Sequence, residues 1–311
     1  MSVIDALSRH DALSFEVFPP RTDAGMEKLC GSVLPQLYSL RPDAVSCTYS
    51  AGGADVGKNL EILGRVAKDG RCLPATHFTC IGNTSQSAKA QLQTYLGSGI
   101  HHVLALRGDP PAGWAGSGGE LQSAGELVTL IRQEFGDAFT IAVAGAPEGH
   151  PGSRSLEAEI ALLKQKQDSG ADYIITRLCW DMDAFRYWLD AIRAAGIRLP
   201  VEASVMPVLD QAETISTAFS RGGSAIPQSL REIISKNWIY PNPFVKDPFD
   251  ARAEQKKADF RKAGMEYTVH QIHEYQACGV NGIHLFTRNR YEDTALIVRE
   301  SGLLDGLKTG S

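Results

Sequence analysis

Eight short apolar runs, most of them separated by stretches with helical spacing, constrain this chain more than any other feature. They cover residues 13–18, 44–48, 74–80, 101–106, 140–144, 172–176, 200–205 and 282–287. Strands that alternate with helices pair in parallel, because each return to the sheet is made by a crossover helix. Eight such units in 311 residues predict an α/β fold, a single (β/α)8 TIM barrel over 1–311. An N-terminal helix over 1–12 leads into it, and an irregular excursion precedes the last strand. In such a barrel the chemistry gathers at the C-terminal ends of the strands. Glu16, Arg107, Asp109, Arg177, Asp181 and Arg290 fall there.

Helical spacing is read over 25–40, 56–68, 85–98, 120–135, 155–169, 183–195, 211–220, 228–235, 251–278 and 291–301, with Ser155 as an N-cap. Between 207 and 264 the pattern loosens. Pro241, Pro243 and Pro248 exclude a helix or a central strand over 240–250, which reads as an excursion across the barrel.

Composition removes several classes. Hydrophobic residues at 43% and charged residues at 22% fit a globular protein. A net charge of −5 provides no basic footprint for nucleic acid. No apolar run is long enough to span a bilayer. Asp5, Arg9, His10 and Asp11 do not fit a secretory signal. The six cysteines form no Cys-x-x-Cys pair, which predicts reduced thiols in a cytoplasm and no metal site.

Several constellations carry polar groups at strand ends. In Ser14-Phe15-Glu16-Val17-Phe18-Pro19-Pro20-Arg21, Glu16 points to the opposite side from Phe15 and Val17. Burial inside the barrel is expected to raise its pKa, making it a general acid near neutral pH; the alternative is an ion pair with Arg21 or another Arg. In Arg107-Gly108-Asp109-Pro110-Pro111, Arg107 suits a phosphate or carboxylate and Gly108 a positive φ or a close approach. An Arg–Asp pair that stiffens the loop is the other reading. The loop Pro147-Glu148-Gly149-His150-Pro151 offers His150 either to a ligand or to a helix cap.

In Thr176-Arg177-Leu178-Cys179-Trp180-Asp181, Trp180 either stacks on a ligand or fills core, and Arg177 either reaches a ligand's polar edge or lies on the surface. Arg290 suits an anionic tail or is a solvated loop residue. The run from Gly52 to Asn59 nearly matches a phosphate loop. Asn59 replaces its Mg²⁺-binding hydroxyl residue, and no acidic strand end completes the site, so nucleotide hydrolysis is not expected.

Taken together, these motifs make the chain similar to the methylenetetrahydrofolate reductase family, the short bacterial type without a regulatory domain. The resemblance is carried by Phe15 to Arg21, Ser46-Cys47-Thr48-Tyr49, His77-Phe78-Thr79-Cys80-Ile81 and residues 104–111. It continues through Pro147 to Pro151, residues 164–171 and 174–176, Met206-Pro207-Val208 and residues 286–290.

The resemblance implies FAD at the C-terminal ends of the strands and NADH or NADPH as co-substrate. The enzyme would be an oxidoreductase that passes a hydride to 5,10-methylenetetrahydrofolate, giving 5-methyltetrahydrofolate. Its partners would be folate and nicotinamide small molecules, in a homo-oligomer. Glu16 matches the family's general acid and Asp109 the acid near pterin and flavin. Thr48, His77, Arg107, Asp109, His150 and Lys166 fall where the family contacts flavin, and Arg290 where it can meet the folate glutamate. Glu16, Arg177 and Trp180 stand beside the substrate in that reading.

The chain also departs from the pattern. Arg177 stands where the family usually has Gln, Leu178-Cys179 where it has an aromatic pair, and Ala146 where some members have Tyr. Glu159, Leu162 and Gln211 are further replacements. They leave open FMN in place of FAD, direct hydride transfer without flavin, an electron-donating partner subunit, or a non-catalytic partner subunit. A phosphate-binding barrel lyase is the remaining alternative.

Overall fold

The computed structural model describes residues 3–9, 12–48, 56–108, 118–149, 155–220, 223–238 and 253–304. Eight strands close into one barrel in chain order: β1 (Ala12–Val17), β2 (Ala44–Cys47), β3 (Leu73–Thr79), β4 (His102–Leu106), β5 (Thr140–Gly145), β6 (Tyr173–Thr176), β7 (Val201–Val205) and β8 (Gly282–Phe286). Every neighbouring pair is parallel, including the closing pair β1–β8. The expected strands are thus all present, with ends displaced by one residue at most.

Alternation decides what each strand presents. On β1, Leu13, Phe15 and Val17 join the large core beneath the outer helices. Ala12, Ser14 and Glu16 share the other parity and face the barrel interior. Ala12 belongs there to a small apolar cluster with Ala44, Leu104, Ala142, Tyr173 and Ile175. The helix α1 (Val3–Ser8) adds Val3, Ala6 and Leu7 and closes the barrel floor. Full burial of each larger side chain is worth about 1.5–3 kcal/mol.

The outer helices are α2 (Asp23–Lys28), α3 (Leu34–Tyr38), α4 (Val56–Asp69), α5 (Ser85–Gly97), α6 (Ala124–Phe135), α7 (Leu156–Asp168), α8 (Met182–Ala194), α9 (Gln211–Ala218), α10 (Gln228–Lys236), α11 (Ala253–Ala277) and α12 (Tyr291–Glu300). Ser155 caps α7, accepting from Ala158 N, as the sequence predicts. The single helix expected over 25–40 instead starts at Asp23, capped by Thr22, and contains a π turn over Leu29–Val33. Pro35 gives the reason. It has no N–H and its ring crowds the preceding turn, and a π turn relieves both.

The helix expected from 120 begins only after Ser123, whose hydroxyl accepts from Glu126 N. The excursion expected over 240–250 lies outside the described residues. Among the described residues, no helix is long and apolar enough to cross a membrane.

Candidate active site

Glu16 lies near the C-terminal end of β1, 5% exposed. Its main chain is pinned: Thr287 donates to Glu16 O through both its backbone N–H (3.1 Å) and its hydroxyl (2.7 Å). One carboxylate oxygen, Oε1, accepts from Thr48 Oγ1 at 2.7 Å. The other, Oε2, lies 3.1 Å from His284 Nε2 and 3.7 Å from His77 Nε2. These groups come from β1, β3, β8 and the residue after β2, which only the closed barrel brings together.

This setting reverses the expectation for Glu16. Burial does push its pKa up and is the largest single influence. The charge of His77, the hydrogen bond and charge of His284, and the Thr48 hydroxyl together outweigh it, so the carboxyl is held below its ordinary value. Its ionic neighbours among the described residues are histidines, where an Arg was the alternative.

Burial holds the His77 pKa down, against the pull of Glu16. It also opposes charge on His284, but there the Glu16 hydrogen bond and the carboxylates of Glu202 and Glu16 win, and the pKa rises. Glu16, His77 and His284 each bring a ligand-capable atom within 4.8 Å of the others. Both His284 nitrogens are already engaged, Nδ1 with Ser14 Oγ at 2.6 Å and Nε2 with Glu16. A cation placed there would have to break the Glu16–His284 bond, so the trio reads as a hydrogen-bonded acid.

Beside this acid are buried polar atoms without a partner among the described residues: Ser46 Oγ, His77 Nε2 and Thr79 Oγ1. Ser46 pairs in register with Glu16 across β1–β2, and Thr79 ends β3. Orphaned buried polar atoms are rare and call for a polar ligand or water. Lys166 reaches across from α7, and its ammonium donates to Ala144 O at 3.0 Å near the end of β5. Burial lowers the Lys166 pKa.

Arg107 is exposed after β4, bonded to the Gly108 carbonyl at 3.3 Å. Gly108 has φ +84°, and a Cβ there would lie 2.6 Å from Ile81 Cγ2, so both expected reasons for glycine apply. Asp109 and His150 lie outside the described residues.

Other sequence candidates are placed differently. Trp180 is 1% exposed and packs with Leu178, Val208, Leu230, Ile234 and Phe260. Helices α10 and α11 cover the ring, as in the core reading, while its buried Nε1 has no hydrogen-bond partner among the described residues. Arg177 is half-buried at the end of β6, its N–H donating to Gly145 O. Asp181 caps α8.

Arg290 makes a two-pronged ion pair with Glu213, at 2.8 and 3.3 Å, and Arg288 lies 3.5 Å from the same carboxylate. The loop carrying them is clamped to β1, since Asn289 exchanges hydrogen bonds with both Phe18 N and Phe18 O. Gln211 is buried and holds Ile234 O and Asn237 O at the end of α10.

The end of the near phosphate loop is committed to structure. Lys58 donates to Pro20 O and Arg21 O, and the Asn59 side chain bonds Cys47 O, Thr76 and Tyr95. Gly52 to Asp55 lie outside the described residues.

Ser14, His284 and Glu202 are not among the residues that strand ends single out, because all three sit within strands. A signal existed: each is polar inside a strand of a barrel whose strands are buried on both faces.

The fold and the site define a (β/α)8 barrel with a buried acid and, among the described residues, unpartnered polar groups at the C-terminal mouth, where this fold gathers its chemistry. The chain belongs to the methylenetetrahydrofolate reductase family, whose model matches residues 3–302. It is 31% identical over 295 residues to 5,10-methylenetetrahydrofolate reductase of Escherichia coli strain K12, covering 95% of this chain and 92% of that one. It is 31% identical over 326 residues to methylenetetrahydrofolate reductase (NADH) 1 of Arabidopsis thaliana, covering 99% of this chain and 52% of the relative. The chain thus spans about half the length of the plant and yeast relatives it matches.

A solved Clostridium thermocellum protein, described as binding two copies of 5-methyl-5,6,7,8-tetrahydrofolic acid, shares the fold with a TM-score of 0.58 and 12% identity. The likeness covers 97% of this chain and 98% of that one.

Proposed function

We propose that this protein reduces 5,10-methylenetetrahydrofolate to 5-methyltetrahydrofolate, with NADH or NADPH as electron source and a flavin, FAD, held at the barrel mouth. The observation that carries the proposal is the buried Glu16, hydrogen-bonded by Thr48 and His284 and flanked by His77, beside polar atoms without a partner among the described residues. Family membership supports the substrate, and the plant relative's name supports NADH.

The residues present fit a flavin. Ser46 Oγ, His77 Nε2 and Thr79 Oγ1 await partners that a ring rich in nitrogen and oxygen provides. Arg107 suits a phosphate, and Lys166 and Thr48 would contact the flavin in this reading. Asp109 and His150 complete this reading from outside the described residues. A bound flavin would supply hydride chemistry that no side chain offers.

What the chain's own residues do is move protons and exclude water. Opening the folate's five-membered ring requires a proton at N10 as that bond breaks, and Glu16 would give it. Thr48 and the Thr287 clamp fix the direction of the carboxyl. Arg177 borders the substrate, and the folate's glutamate carboxylate would take the place of Glu213 on Arg290.

The test begins with colour. Purified protein should show flavin absorption that NADH bleaches without oxygen and methylenetetrahydrofolate restores. Glu16→Gln should keep the bleaching and lose the restoration by about 100-fold or more. Equal loss of both half-reactions would remove Glu16 from its role. A colourless protein that still turns over would support direct transfer, and absence of turnover with any donor a non-catalytic subunit.

A further inference from the structure

Glu202, in β7, is buried in the barrel interior, 1% exposed, and its Oε1 has no partner among the described residues. It lies beside β8, in register with Gly282, and the Ser14 hydroxyl faces its carboxyl. Ser14 Oγ is 2.6 Å from His284 Nδ1, and His284 Nε2 is 3.1 Å from Glu16. Two hydrogen bonds therefore join Ser14, His284 and Glu16 in a line towards the mouth, and the Glu202 carboxyl in β7 interacts with the Ser14 end of it.

The site poses a problem that this line answers. A general acid must hold a proton when the substrate arrives, yet the histidines and Thr48 favour ionised Glu16. At the other end burial dominates and favours the neutral acid at Glu202, against the pull of His284 and Ser14 and helped by Asp43. A charged carboxylate with an orphaned oxygen would be costly in that interior, whereas a neutral one is tolerated.

We propose that Glu202 stores the proton that Glu16 delivers, and that Ser14 and His284 carry it between them. The proposal rests on the folate-reducing reading above. At rest the Glu202 acid donates to Ser14 Oγ, the Ser14 hydroxyl donates to His284 Nδ1, and His284 Nε2–H donates to the Glu16 carboxylate. Each hydrogen then moves one place. The O–H of Glu202 breaks as one forms on Ser14. The former Ser14 proton moves to Nδ1, and the Nε2 proton moves to Glu16 Oε2.

The network keeps one negative charge throughout, which passes from Glu16 to Glu202. Glu16 then protonates the amine nitrogen released from the folate ring. After product leaves, a proton from water enters through Glu16 and the shifts reverse. An imidazolium at His284 is the midpoint, flanked by both carboxylates.

The groups facing this line are His77 from β3, Asp43 ahead of β2 and Tyr173 from β6. Asp43 is an acid that favours the proton staying on Glu202. Burial keeps Tyr173 neutral, so it does not compete.

Infrared spectroscopy of the purified holoenzyme at neutral pH tests the store directly. The wild type should show the carbonyl band of a neutral carboxylic acid, Glu202→Gln should lack it, and Ser14→Ala should keep it. In single-turnover reactions with methylenetetrahydrofolate, both variants should lose about tenfold or more on the alkaline side. They should rejoin the wild type in acid, where water protonates Glu16 directly. A band that persists in Glu202→Gln, or variant profiles that overlay the wild type, would overturn the proposal. A wild type without folate turnover would sink the functional reading alone, because the band still decides where the proton is held.

Discussion

At the scale of single residues, burial alone does not predict a pKa. Glu16 and Glu202 are both carboxyls inside one barrel, yet one is shifted down and the other up. The difference is the company each keeps. Glu16 has two histidines and a hydroxyl donor, while Glu202 has an orphaned oxygen and an acidic neighbour. Thr48→Val removes a donor that favours the charged form, so the Glu16 pKa should rise. A ¹³C-carboxyl NMR titration, with Glu16→Gln to assign the signal, measures this. An unmoved titration would show that the Thr48 hydroxyl does not stabilise the carboxylate.

At the scale of elements, helices and loops hold the strand ends where chemistry needs them. The first turns of α4 use Lys58 and Asn59 to tie the end of β1 to that of β2. The loop after β8 uses Thr287 and Asn289 to do the same for β1, although Arg288 and Asn289 both take positive φ there. The long α11 comes so close to the loop after β7 that a Cβ on Gly264 would sit 1.8 Å from Val208 O. Gly264→Ala should therefore lower stability by about 1–3 kcal/mol, read as an earlier urea midpoint. An unchanged midpoint would mean that α11 can move away from Val208 without loss.

At the scale of the whole molecule, the barrel interior has a mainly apolar floor, in which Glu202 and His102 are the buried exceptions, and a polar mouth. α1 and the Ala12–Ala44–Leu104–Ala142 cluster fill the floor, and Glu16, Ser46, His77 and Thr79 line the mouth. Among the groups sealed in is His102 at the start of β4. Its pKa is pushed down to about 4 by burial first and by His101 second. The unfolded chain takes up that proton near its ordinary 6.5, whereas the folded protein refuses it until about 4.

Stability is therefore full above pH 6.5 and falls through this window as acid is added, by up to about 3 kcal/mol from this group. Urea midpoints of wild type and His102→Gln, followed across the same window, should converge towards acid. Parallel curves would show that His102 is not the titrating group.

The sequence by itself determined the architecture. Eight β-rich runs alternating with helical spacing leave few topologies other than a parallel barrel, since strand and helix periods are local properties. It also marked Glu16 near a strand end and the glycine required at 108, and the family resemblance added Thr48 and His77. The register of the closing β1–β8 pair, by contrast, joins residues about 270 positions apart, and no local pattern reports it. Only the tertiary structure decided that Ser14 and His284 meet, that Glu202 is buried in the barrel interior, and that α10 and α11 cover Trp180. It also decided the sign of the Glu16 shift. A carboxyl's solvation follows from the strand it sits on, but its partners come from strands that meet only when the barrel closes.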